Sequence, residues 1–116
     1  MIRTELTLRL PNNAGALAGV CRMLADERVN VLAMSLGEGG HLRLVVDNHI
    51  HGAAALRERR YRVTQREVLV IDRATSLTAL QLIADAEINL DYAYGAVANF
   101  VLGVDDALRA SAVVGI

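Results

Sequence analysis

The sequence has no tryptophan, no lysine, one cysteine, one proline, one phenylalanine and three tyrosines, and each shortage removes a class of function. One cysteine makes neither an internal disulfide nor the CxxC pair of a metallochaperone, and it fits a reducing compartment. So few aromatic residues leave little on which to stack bases, as an RNA-recognition sheet of this size must. Charge of one sign is also lacking: the formal net charge is −1, so no overall field draws the chain to nucleic acid or to an anionic membrane. All twelve basic residues are arginine and lie scattered along the chain. That pattern reads as coding bias. No apolar run approaches the roughly 18 residues that cross a bilayer, and the opening MIRTELTLRL lacks the apolar core of a signal peptide. The expectation is a cytoplasmic protein with no membrane or nucleic-acid partner.

What is present is apolar and periodic. Hydrophobic residues make up 53% and charged residues 22% of the chain, a globular composition. Leu6, Leu8 and Leu10 alternate with Glu5, Thr7 and Arg9, which predicts a half-buried strand over 4–10. Pro11, Asn12 and Asn13 break it, and asparagine is a favoured helix N-cap. Leu17, Val20, Cys21 and Leu24 then form one apolar stripe at helical spacing, predicting a helix over 14–28 with Gly15 in its first turn. A strand follows over 29–36, a glycine-rich hairpin turn at 37–40, and a strand over 41–47. A second helix is expected over 50–60, and Tyr61-Arg62-Val63 begins a further strand. The order β-α-β-β-α-β is the ferredoxin-like arrangement, an α+β fold with helices on one face of an antiparallel sheet.

The pattern then restarts. Glu67–Ile71 is an apolar run, Asp72–Ser76 a turn with capping residues, and Leu77, Leu80, Ile83 and Ala84 a new helical stripe. Ala84–Leu90 repeats Ala25–Val31 at an offset of 59, and Leu102–Asp106 repeats Leu44–Asn48 at an offset of 58. Such near-constant offsets mark an internal repeat, with modules expected at 1–66 and 67–116. The second is truncated: after Asp106 only ten residues remain, enough for one helical turn at 107–110 and a stub strand at 113–116. No proline or glycine interrupts 61–73, so the copies are fused through strands.

LPNNAGALAGVCRMLADERVNV in the first copy, and EVLVIDR with SLTALQLIADAEINLDYAY in the second, resemble the ACT family of small regulatory modules, here in its free-standing tandem form. The resemblance implies that an amino acid or related metabolite binds where the first strand–helix turn meets a neighbouring module. The family's turn usually carries Pro-Gly. Here the first copy has Ala14-Gly15 and the second Thr75-Ser76. Carried onto this chain, the ligand-binding positions are Asn12, Asn13, Ala14, Gly15, Ala16 and Leu17, with Thr75, Ser76 and Leu77 in the second copy. The physics agrees, because a helix N-terminus offers free N–H groups to a carboxylate. Asn30 and Asn89, at strand starts, are read either as holding an α-amino group or as bracing the turns.

Plainer readings stand beside these. His49 and His51 with Asp47 lack a third ligand at fixed spacing for a metal. Tyr92 and Tyr94 are spaced for the same strand face as Ile88 and Leu90. Arg57–Arg62 is a solvated helix end, and Cys21 lies on a buried stripe. Ser35, Ser76 and Ser111 have no histidine beside them in sequence, so nothing suggests a nucleophile or an enzyme, and no cofactor or metal is expected. Val29, Val31 and Ala33 alternate with Leu32, Met34 and Leu36, so this strand is apolar on both faces and a homodimer is expected. The expected function is regulatory amino-acid binding. The alternative is a ligand-free subunit that modulates a separate enzyme of amino-acid metabolism.

Overall fold

A computed structural model describes all residues, 1–116. Six strands and four helices follow in the order β1 (Ile2–Arg9), α1 (Ala16–Asp26), β2 (Val31–Leu36), β3 (His41–Val46), α2 (His49–Glu58), β4 (Thr64–Asp72), α3 (Ser76–Asp85), β5 (Leu90–Gly95), β6 (Asn99–Val104) and α4 (Ala107–Val114). The chain divides into two compact units, Thr4–Arg66 and Met1–Arg3 together with Glu67–Ile116.

In the first unit β3 lies between β1 and β2, antiparallel to both, with Leu6 opposite Leu44 and Leu8 opposite Leu42. The leucine alternation read from β1 becomes one wall of the core: Leu6, Leu8, Leu10, Leu42, Leu44 and Val46 meet Val20, Met23 and Leu24 of α1 and Ala53 and Leu56 of α2. Each buried leucine contributes about 1.5–3 kcal/mol. α2 comes close to the sheet because its facing residues are small. A Cβ on Gly52 would stand 3.3 Å from Val46 and 3.5 Å from both Leu6 and Val29.

The opposite face of β1 is not simply solvated. Glu5 is fully buried, with the Arg43 guanidinium 4.0 Å from its carboxylate. A buried carboxylate requires such a partner. A bulge between Val31 and Ala33 also breaks the alternation expected of β2. Ala33 pairs with Val45, whereas Met34 and Leu36 pair with Leu44 and Leu42. Met34 and Leu36 therefore share the core face but sit on the outermost strand, where Leu32, Met34 and Leu36 remain 44%, 37% and 49% exposed.

Several element boundaries differ from those expected. α2 closes at Glu58, where Tyr61 N–H donates to Leu56 C=O at 3.2 Å across a left-handed Arg60 (φ 67°). Residues 61–63 are thereby a helix exit and not a strand. β4 starts at Thr64 and runs unbroken to Asp72, and the Thr7 and Thr64 hydroxyls are hydrogen-bonded in the first unit.

In the second unit β6 lies between β4 and β5, with Leu69, Ile71, Ile83, Leu102 and Val104 central to a separate core. The stub strand expected over 113–116 is not formed. α4 continues to Val114, capped by the Asp106 carboxylate accepting from Arg109 N–H and ended by a left-handed Gly115 (φ 85°). Its stripe of Ala107, Ala110, Val113 and Val114 satisfies that core as a helix. The strand missing from this unit comes from Met1–Arg3: the Met1 amine donates to Val70 C=O at 2.9 Å, Val70 N–H donates to Met1 C=O at 2.8 Å, and Ile2 packs on the core.

The two copies share backbone detail. Val29 N–H donates to Leu24 C=O at 2.8 Å and Ile88 N–H to Ile83 C=O at 3.2 Å; Asp47 N–H donates to Asn30 C=O and Asp105 N–H to Asn89 C=O. Arg28 (φ 58°) and Glu87 (φ 56°) are both left-handed. β5 has its bulge between Leu90 and Tyr92, the position matching that in β2. This bulge turns Tyr92 away from the face of Leu90, contrary to the simple alternation. Tyr92 instead lies over Gly103, where a Cβ would be 2.3 Å from its ring, and stacks on Tyr94 with centroids 6.3 Å apart.

Candidate functional site

A cavity of about 690 Å³ opens in the first unit where the β1–α1 turn faces the β2–β3 connection. The turn contributes Leu10, Pro11, Asn12, Asn13 and Ala14, and α1 contributes Ala16 and Leu17. Leu36, Gly37, Gly39 and Gly40 come from the other side. Its size falls within the roughly 300–1,000 Å³ of small-molecule pockets.

Gly40 holds the two loops together. Its carbonyl accepts from Leu10 N–H at 2.7 Å, its φ is +77°, and a Cβ there would lie 2.2 Å from the Leu10 carbonyl oxygen. Only glycine permits both the left-handed backbone and the approach. The Arg9 guanidinium donates to Gly39 C=O at 3.2 Å, a second tie between the same loops.

The asparagines do not cap α1 in the expected way. Asn13 Oδ1 accepts from Gly15 N–H at 3.2 Å, one residue too early to reach the helix's first amides, and the N-cap is Gly15 without a side-chain bond. Ala16 N–H donates to Asn13 C=O at 3.3 Å, which leaves the Leu17 and Ala18 N–H groups without a partner in the chain. An 11-residue helix concentrates partial positive charge at that end. Such a terminus favours a carboxylate. Of the three lining leucines, Leu10 is buried, Leu17 half-buried and Leu36 exposed.

Of the positions expected in the first copy, Asn12, Asn13, Ala14, Ala16 and Leu17 line this cavity. Gly15 does not: a Cβ on it would meet nothing within 4 Å. Asn30 lies beyond the other end of α1, about 16 Å along an 11-residue helix at 1.5 Å per residue. There its N–H donates to Asp47 Oδ1 at 3.0 Å and its Nδ2 to Asp47 Oδ2 at 2.8 Å. These bonds, the backbone one first, hold the Asp47 carboxyl below its ordinary pKa. The hairpin side of the cavity escaped the sequence reading, which took 37–40 only as a turn. The adjacent glycines were its one signal.

The second copy is arranged differently. Its turn is a short 3-10 segment, Arg73–Thr75, and Asp72 Oδ1 accepts from Ala74 N–H at 3.1 Å. The Thr75 hydroxyl donates to Asp72 C=O at 3.4 Å, and the Arg73 guanidinium lies 5.7 Å from the Phe100 ring centre. Ser76 is buried while Leu77 is 83% exposed. Asn89, like Asn30, is past the far end of its helix, with its carbonyl bonded to Asp105 N–H. The bond that Asn13 accepts in the first turn is accepted here by a carboxylate.

His51 Nε2 lies 3.7 Å from the Glu27 carboxylate, and no three His, Cys, Asp or Glu side chains gather as a metal set. No helix is long and apolar enough to cross a membrane.

No family model and no curated protein sequence matches the chain. Solved structures do, and the fold they share with it is the tandem ACT-like α+β fold. Protein BT0572 from Bacteroides thetaiotaomicron superposes with a TM-score of 0.84 at 21% identity, over 99% of this chain and 88% of that one. The ligand-free regulatory subunit of aspartate kinase from Thermus thermophilus gives 0.72 at 16% identity, over 97% and 89%. Aspartokinase III from E. coli, solved with lysine and aspartate, gives 0.63 at 20% identity, over 97% of this chain and 29% of that enzyme. The chain is therefore similar in fold, over nearly its whole length, to regulatory subunits of aspartate kinase.

Proposed function

We propose that the protein is a regulatory module, not an enzyme, that binds an amino acid or related small metabolite in the first-unit cavity. The observation that carries this is the pair of unpartnered amides, Leu17 and Ala18, in the first turn of a helix whose Ala16 and Leu17 line a cavity framed by Gly40 and the asparagine turn. The ligand carboxylate meets those amides and Asn12 and Asn13 flank it. The fold likeness to aspartate kinase regulatory subunits supports the same reading. One ligand binds per chain, because at the matching turn of the module at 67–116 the charged Asp72 stands where the first copy has the neutral Asn13, and a fixed carboxylate there repels that of a ligand.

The module acts as a homodimer. Leu32, Met34 and Leu36 form an exposed apolar edge on β2, and Leu36 also lines the cavity, so a second copy seated on β2 would close its open side. The ligand then communicates by stabilising one arrangement over another, on the order of 1–3 kcal/mol. A thermal-shift screen across the amino acids tests the reading. A ligand at 100 times its Kd adds about 2.7 kcal/mol, a rise on the order of 10 °C for a chain of this size. A flat panel, with the β2 edge capturing a metabolic enzyme instead, would favour the ligand-free subunit that the same apolar edge also suits.

A further inference from the structure

We propose that the side-chain end of this cavity selects a neutral aliphatic group, so that the ligand is an amino or keto acid of the leucine or norleucine type and not a basic or acidic one. The inference rests on the cavity being the ligand site and adds the class of ligand. None of the residues lining it carries a charge. Its only polar side chains are the amides of Asn12 and Asn13, in the turn that precedes α1. Leu10, Leu17 and Leu36 stand as the apolar wall, and Ala14 and Ala16 beside them leave room for a branched or extended side chain.

The Arg9 guanidinium donates to the carbonyl of Gly39 at 3.2 Å but does not line the space. Glu38 belongs to the same connection but does not line the space. A ligand ammonium beside the leucines therefore finds no carboxylate among the lining residues and loses hydration without gaining an ion pair. A ligand carboxylate at that end would meet the same apolar wall. Each added methylene of an aliphatic side chain gains about 0.8 kcal/mol, or about fourfold in affinity, when it leaves water.

Norleucine and lysine form a matched pair, with the same four-carbon stem, differing by the terminal ammonium. Titration calorimetry on the full chain should find norleucine and leucine at least tenfold tighter than lysine or glutamate, and alanine at least tenfold weaker than leucine. Amide resonances of Leu17, Ala18 and Gly40 should move on adding leucine. Leu36→Glu, which puts a carboxylate among the lining leucines, should weaken leucine at least tenfold and narrow or reverse the preference over lysine. Leu36→Ala, which adds no charge to the β2 edge, should weaken leucine while leaving lysine unchanged. Lysine or glutamate binding as tightly as norleucine, with the same amides moving, would overturn the ligand class and leave the site standing. No binding by any of these ligands, or shifts confined to residues away from the turn, would overturn the site itself.

Discussion

Gly40→Ala separates a glycine that builds the site from one that merely sits near it. The new Cβ would start 2.2 Å from the Leu10 carbonyl oxygen at a φ of +77°. The left-handed backbone costs an L-residue about 1–2 kcal/mol. Relieving the overlap means parting the two loops by more than 1 Å (about 3.4 Å is ordinary contact), which breaks the Leu10 N–H to Gly40 C=O bond of 2.7 Å, worth about 1 kcal/mol. The expected destabilisation is about 2–3 kcal/mol, a fall in Tm on the order of 10 °C, together with loss of ligand binding as the cavity wall swings out. Gly15→Ala is the control, because its Cβ would meet nothing within 4 Å and its φ of −95° is ordinary; its effect should stay within about 0.5 kcal/mol. Calorimetric melting of both variants, with and without leucine, reads the difference. A Gly40→Ala protein that melts and binds like the parent would show that the close approach of the loops does not shape the cavity.

Other consequences follow from the same packing. Leu24→Ala in the first core and Ile83→Ala in the second, both almost fully buried and at matching repeat positions, should each cost about 2–5 kcal/mol in urea unfolding. Asp47 has its carboxyl pKa lowered, chiefly by the Asn30 N–H and then by the Asn30 side chain. Its contribution is therefore full above the ordinary carboxylate range and is lost as pH falls through the lowered value; Asp47→Ala should flatten the acid limb of a Tm-versus-pH curve below about pH 4. Asp106→Ala removes the cap on Arg109 N–H and should destabilise α4 by about 1 kcal/mol, visible as faster amide exchange over 107–110. Met34→Glu on the exposed edge of β2 should convert a dimer to a monomer in analytical ultracentrifugation without lowering helical content. An unchanged mass would place any interface elsewhere.

Local order was open to a reader of the chain alone. The leucine alternation of β1, the stripe on α1 and the restart after residue 66 follow from periods of two and 3.6 residues acting on apolar side chains, and these signals need no knowledge of distant partners. The repeat was equally legible, because one backbone solution, with its left-handed Arg28 and Glu87, was reached twice from related residues. Asn12, Asn13 and Leu17 were picked out because a strand–helix turn exposes amides wherever it occurs.

Tertiary structure decided what depends on partners far along the chain. Gly40 faces Leu10 from 30 positions away and Val70 pairs with Met1 across 69; no local pattern encodes either meeting. A one-residue bulge in β2 and again in β5 reversed which side chains share a face, since a period of two is upset by any single insertion. Glu5 reads as a solvent-facing residue until Arg43, from another strand, is brought beside it. Residue types set which segments fold and which side they bury. Only the folded chain determines which two turns meet, and here their meeting makes the cavity.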